Sequence, residues 1–233
     1  MVMRLEAILF DLTSLKEDPA RFDFVQPDYQ YALAFREYGI DVDALQPAEA
    51  AQQIQQRSIR LQLAMALDGW AEARRYSGTR KKSWQHLLAV ARAADPDRWR
   101  NRLREALQER RQKELAEVAA AVPIGDVSPV TLGLLGRALM DAGAQKDAEA
   151  ILRQAQRRHP SSFWLNYDLA MSLIRQQPRQ LHDGIGFLRA ALALRPNSPA
   201  VYAQLTWALQ ESGVHEEVVA LQQEAVRLQT DTA

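Results

Sequence analysis

The chain has 233 residues, with 29 Lys and Arg against 29 Asp and Glu, 47% hydrophobic residues and no cysteine. Zero net charge argues against a protein built to coat DNA or an anionic membrane. Without thiols there is no disulfide framework, thiolate metal site or Cys nucleophile. No run of eighteen apolar residues occurs, and Arg4 and Glu6 interrupt the apolar amino end, which predicts no membrane span or signal segment and a cytoplasmic chain.

Ala, Leu, Gln, Arg and Glu dominate while Val, Ile and Thr are few, which favours helix over strand. In chain order, Leu5, Ile8, Leu12 and Leu15 recur at helical steps. Tyr31, Ala34, Phe35 and Tyr38 line a helix that starts after Pro27 and stops at Gly39. Pro47 opens a short helix, and Ile59, Leu63, Ala66, Leu67 and Trp70 stripe the next. Trp84, Leu87, Leu88 and Ala91 mark another, stopped by Asp95-Pro96. Trp99, Leu103, Ala106 and Leu107 mark one more. No segment alternates apolar with polar residues, so no strand is predicted.

Charge is unevenly spread. Residues 1–50 carry ten acids and four bases, whereas residues 74–113 carry thirteen bases and four acids. A nucleic-acid interface would use that basic run, which includes Arg74, Arg75, Arg80, Lys81, Lys82, Arg98, Arg100, Arg102 and Arg104. No recognition helix, stacking aromatics or zinc pattern accompanies it. It reads instead as a solvated helix face and loop, with the acidic amino-terminal third available to neutralise it.

The carboxy-terminal half repeats. Leu132-x-x-Leu135-Gly136-x-x-Leu139 is followed by Ala148-x-x-x-Leu152, Ala155 and Pro160. Asn166-x-x-Leu169-Ala170-x-x-Leu173 is followed by Gly184-x-x-x-Leu188, Ala191 and Pro196. Tyr202-x-x-Leu205-Thr206-x-x-Leu209 continues with Val218 and Ala225. Leu135 to Leu169 is thirty-four residues and Leu169 to Leu205 thirty-six, which places a two-residue insertion at Gln177-Pro178-Arg179. The pattern resembles the tetratricopeptide repeat (TPR), and covers residues 129–229. Small residues stand where helices must approach closely, leucines fill the space between, and Gly143 and Gly213 end first helices. The copies depart from the family at Leu132 and Asn166, where it has an aromatic. The third has Thr206 for a small residue, Gln222 for an apolar one, and no closing proline, which suits a terminal helix.

Upstream, Leu63-Ala64-x-x-Leu67 with Leu88, Ala91 and Pro96 reads as a degenerate copy, and Ala106, Val118 and Ala121 as a shortened one. Phe35-Arg36-Glu37-Tyr38-Gly39-Ile40-Asp41, residues 87–96, and Arg157-Arg158-His159-Pro160 running into Phe163-Trp164 resemble the carboxy-terminal regions of bacterial, planctomycete-type serine/threonine kinases that carry TPRs. No Gly-rich phosphate loop, His-Arg-Asp or Asp-Phe-Gly is present.

Little else points to chemistry. Residues 8–13 look like the aspartate strand of haloacid-dehalogenase-type phosphatases, but Thr13 stands where the second acid is needed. His86, His159, His182 and His215 lack metal-ligand spacing, so neither metal nor cofactor is expected. Gly184-Ile185-Gly186 has no preceding strand and no third glycine. An enzyme is not predicted.

The TPR resemblance implies that first helices line a concave face where peptides bind. Helical spacing puts Val130, Arg137, Met140, Trp164, Tyr167, Met171, Ile174, Arg175, Ala203, Trp207 and Gln210 there. Trp164, Tyr167, Met171 and Trp207 are expected to form one exposed apolar strip, since Leu165, Leu169 and Leu173 already serve as core. The positions with which such repeats grip a terminal carboxylate hold Gly133, Arg137, Asp168, Ala200 and Gln204, only one of them basic. The expected partner is therefore a protein or peptide with an apolar or aromatic segment, oriented by Arg137 and Arg175, and not nucleic acid or membrane. The predicted fold is all-α, a right-handed TPR-type superhelical α-solenoid with a divergent helical amino-terminal half. Residues 1–27 would be a helix and linker, 28–127 a helical region with degenerate repeats, and 128–233 three repeats with the carboxy-terminal end. The predicted function is a non-catalytic scaffold for protein–protein interaction. The alternative is the regulatory tail of a serine/threonine kinase, attached or associated.

Overall fold

The computed structural model describes Met1 and residues 25–77, 83–109 and 111–230. The seam of Leu5, Ile8, Leu12 and Leu15, the phosphatase-like residues 8–13, and Arg80, Lys81 and Lys82 lie outside the described residues. Among the described residues there are twelve helices and no strand. They are α1 (Val25–Glu37), α2 (Pro47–Gln55), α3 (Arg60–Ser77), α4 (Trp84–Ala94), α5 (Arg98–Glu109), α6 (Gln112–Ala120), α7 (Pro129–Asp141), α8 (Gln145–Arg158), α9 (Phe163–Arg175), α10 (Leu181–Leu194), α11 (Pro199–Glu211) and α12 (Val218–Thr230). None is long and apolar enough to cross a membrane. Two compact units part between Arg111 and Gln112.

In the first unit the aromatic stripe of α1 meets α3. Phe35 and Tyr31 stack on Trp70, with ring centroids 5.3 and 6.1 Å apart. Leu63, Ala64 and Leu67 of α3 and Leu88 and Ala91 of α4 are buried, and these two helices pack as a pair. Of the shortened copy, Ala106 lies in α5 of the first unit and Val118 in α6 of the second.

Two arginines of the basic run, Arg74 and Arg104, turn inward. Arg74 is buried, donating through Nε to Asp28 Oδ1 (2.8 Å) and through Nη1 to Asp43 Oδ1 (2.7 Å). The Trp70 indole N–H donates to the same Asp28 oxygen at 2.7 Å. Arg104 is also buried and makes a two-pronged contact with Asp68 of α3 (2.7 and 2.9 Å), while Nη1 donates to Asp95 Oδ2 (3.0 Å). Arg100 forks onto Asp95 as well, at 2.6 and 2.9 Å. Arg75 lies over the Trp84 ring, 4.6 Å from its centroid. Asp28 and Asp43 come from the acidic amino-terminal third, so part of the uneven charge cancels inside the unit. Burial works against the Asp95 carboxylate, but Arg100, Arg104 and the Asp97 N–H more than offset it, so its pKa falls below the ordinary value.

The second unit is built from helix pairs. Pro129 begins α7 behind Ser128, whose Oγ accepts the Thr131 N–H at 3.2 Å, and Ser162 caps α9 through the Leu165 N–H. At the other end Gly143 takes φ +80°, letting the Ala144 N–H return to Leu139 O at 2.8 Å. The α7/α8, α9/α10 and α11/α12 helices pair, and α6 packs against α7. Between α7 and α8 the approach is closest at Gly136, where an added Cβ would stand 2.5 Å from Leu152 Cδ2 and 2.6 Å from Cγ. Residues 176–180 separate α9 from α10, against 142–144 between α7 and α8, so the extra two residues sit in the turn that carries Gln177-Pro178-Arg179.

Two sets of variants test this packing by denaturant unfolding. Gly136→Ala should destabilise the protein by about 1–2 kcal/mol, because the clash with buried Leu152 exceeds the roughly 1 kcal/mol of helix propensity gained. Gly184→Ala should be neutral or stabilising by up to about 1 kcal/mol, since its Cβ would meet neighbours only at 3.5 Å. Equal effects would contradict the difference in spacing. Arg104→Met should cost about 3–5 kcal/mol near neutral pH by stranding buried Asp68, while Asp95 keeps Arg100. That loss should shrink as the pH falls and the stranded Asp68 carboxyl protonates. In the unsubstituted protein the sign is opposite: Asp95 stabilises the fold above its unfolded-state pKa, and that stability is lost as the pH falls through its lowered value.

Candidate functional site

Helix α9 is buried nearly all round. Leu165, Leu169 and Leu173 are enclosed, and so are Phe163, Tyr167, Met171 and Ile174, which join Ile185, Leu188, Val201, Leu205 and Leu209 in one apolar cluster. A helix in the middle of a stack has neighbours on two sides, so it presents two core arcs rather than one. The strip expected from spacing is therefore not exposed as a whole. Tyr167 is 7% exposed, Met171 6% and Ile174 1%, whereas Trp207 is 36% exposed. Burial also pushes the Tyr167 phenol above its ordinary pKa. Trp164 is half-buried, with its ring edge-on to Phe163 (5.1 Å) and Tyr167 (6.3 Å). Arg195 covers this cluster, 4.1 Å from the Phe163 centroid and 5.8 Å from that of Trp164.

The first helices of the repeats are treated differently at their two seams. Where α7 meets α9, Arg137 Nη1 pairs with Asp168 Oδ2, and Gly133 makes room for both, its missing Cβ lying 3.1 Å from the carboxylate and 3.3 Å from the guanidinium. Arg137, expected to orient a ligand, is thus paired with a buried acid. Met140 and Val130 on α7 are half-buried, and Gln210 on α11 is exposed, all apart from the cleft described next.

Between α9 and α11 a cleft of about 490 Å³ opens. Met171 and Ile174 form its floor, Arg175 one rim, and Ala203, Gln204 and Trp207 the opposite wall, with Gln177 and Arg179 of the inserted turn at its mouth. Arg179 reaches over the Trp207 ring (5.2 Å to the centroid) and donates from Nη1 to Glu211 Oε2 at 2.7 Å. Five of the residues placed by helical spacing therefore converge: Met171, Ile174, Arg175, Ala203 and Trp207. Gln177 and Arg179 were missed as site residues, although the length of the repeat had located the insertion. Nothing in the cleft is arranged as nucleophile and base, and no group of His, Asp or Glu side chains among the described residues could hold a metal.

The contrast in exposure has a measurable consequence. Tyr167→Ala should cost about 3 kcal/mol or more, as truncation of a buried aromatic does. Trp207→Ala should cost under about 1 kcal/mol by the same measure, because much of its ring already faces water. Chemical unfolding of both variants decides it, and equal losses would remove Trp207 from the cleft wall.

No family model matches the sequence, and no curated protein is similar to it. Solved structures share its fold. MamA MSR-1 superposes with a TM-score of 0.53 at 19% identity, over 76% of this chain and 100% of that one. A MamA mutant gives 0.50 at 22% identity, over 73% and 98%. Human IFIT1, solved as a dimer with PPP-AAAA, gives 0.57 at 15% identity; the match takes in 97% of this chain, which spans 55% of IFIT1. MamA and IFIT1 are TPR-type helical-repeat proteins. With helix pairs of that spacing and no strand among its described residues, this chain has the fold of an all-α, TPR-type helical-repeat solenoid.

Proposed function

We propose that the chain is a non-catalytic scaffold that binds another protein by seating one of its apolar side chains in the cleft between α9 and α11. The observation that carries this reading is Trp207, an aromatic ring left 36% exposed beside an apolar floor while the aromatic rings of α9 are largely enclosed. A Trp that becomes enclosed on binding is the kind of side chain that dominates interface energy. The cleft volume, about 490 Å³, suits one or two side chains of an extended segment rather than a folded domain. The likeness to MamA and IFIT1 supports a protein-interaction scaffold at the level of fold. Attachment to, or association with, a serine/threonine kinase rests on the resembling sequence stretches alone and would place the same scaffold beside an enzyme.

The test is an array of immobilised decapeptides, each with one Leu, Met, Phe or Trp in a Gly/Ser/Ala background. The protein should select apolar peptides over the bare background, and Trp207→Ala should weaken the selected ones by roughly 2 kcal/mol, about thirtyfold in Kd. Selection that survives Trp207→Ala unchanged would refute the cleft as the binding site.

A further inference from the structure

The cleft carries more than apolar surface. Its lining holds two arginines and no carboxylate. Arg175 is exposed on the α9 rim and makes no ion pair among the described residues. Arg179 stands at the mouth, supported by the Trp207 ring on one side and Glu211 on the other, with its side chain 41% exposed. Glu211 lies outside the lining and is engaged by Arg179 at 2.7 Å. Gln177 at the mouth and Gln204 on the opposite wall add amide groups to the lining. A cationic edge beside an apolar floor is complementary to a segment that pairs an apolar side chain with a nearby negative charge.

We propose that the cleft recognises an acidic segment of a partner protein in which one Leu, Met, Phe or Trp is followed within two residues by Asp or Glu. The apolar side chain enters over Met171, Ile174 and Trp207, and the side-chain carboxylate meets Arg175. The proposal rests on the cleft being the binding site, and adds the charge of its ligand. A side-chain carboxylate suits the rim better than a chain end. Capture of a terminal carboxylate needs converging enclosed donors, whereas the one cation at the equivalent place on α7, Arg137, is committed to Asp168. Exposed cations act more on selectivity and rate of association than on total affinity. The acid should therefore discriminate between ligands that the apolar contact alone would accept.

The experiment uses three fluorescein-labelled decapeptides with the same central Trp, followed by Glu-Glu, Ser-Ser or Lys-Lys, in anisotropy titrations against the full chain. The expected order of affinity is Glu over Ser over Lys, with the acidic peptide about fivefold tighter than the Ser peptide at low salt and the gap closing as salt rises. Arg175→Glu should reverse the order in favour of the Lys peptide while leaving helicity and melting temperature unchanged. That reversal is a result that loss of folding cannot imitate. Equal affinity for the three peptides, with all binding lost in Trp207→Ala, would overturn the acidic preference and leave the apolar cleft standing. Absence of binding, or binding indifferent to Trp207→Ala, would overturn both.

Discussion

Close approach of paired helices, at positions that carry a hydrogen or a methyl in place of a longer side chain, is the constraint on which residues 129–230 depend. Gly136 leaves no room for a Cβ against Leu152, and Ala155, Ala170, Ala191 and Ala208 are fully enclosed. With the axes brought that near, leucines on both helices interlock. The middle pair is then covered from both sides. Helix α9 ends up without a broad solvent face, and the gap between successive first helices is treated differently along the stack. At one seam that gap is filled by Arg137 and Asp168; at the next it is left open above Met171 and Ile174.

The first unit solves a different problem. Its helices carry acids and bases at positions that packing encloses, and each buried ion finds a partner of opposite sign: Arg74 with Asp28 and Asp43, Arg104 with Asp68 and Asp95. Pairing offsets much of the desolvation cost without much surplus. The net stability comes from apolar burial around Trp70, Phe35 and Leu67, while the ions constrain which helix faces meet.

The helical fold and the pairing of repeats were legible because both rest on periodic features: apolar steps of three and four, glycines at helix ends, and a thirty-four-residue spacing of small residues. The insertion was legible for the same reason, as a break in that period. Exposure was not. A single helix viewed alone has one core arc, so Tyr167 and Met171 read as surface; the second arc exists only because another pair stacks on the first. The engagement of Arg137 was equally hidden, since its partner Asp168 lies thirty-one residues away on a different helix. Arg74 and Arg104 read as part of a solvated basic run, because their partners Asp28, Asp43 and Asp68 come from distant stretches of the chain and each charge taken singly is ordinary.

The inserted turn between α9 and α10 has a consequence for how this surface can change over generations. Gln177 and Arg179 belong to no helix, and both are exposed. The part of the cleft wall they supply can therefore be lengthened, shortened or recoloured in charge without disturbing the close helix contacts that hold the pairs together. The mouth of the cleft and the close helix contacts are in this way written in separate stretches of the chain. The repeat supplies a conservative frame, and a five-residue joint supplies the variable lettering.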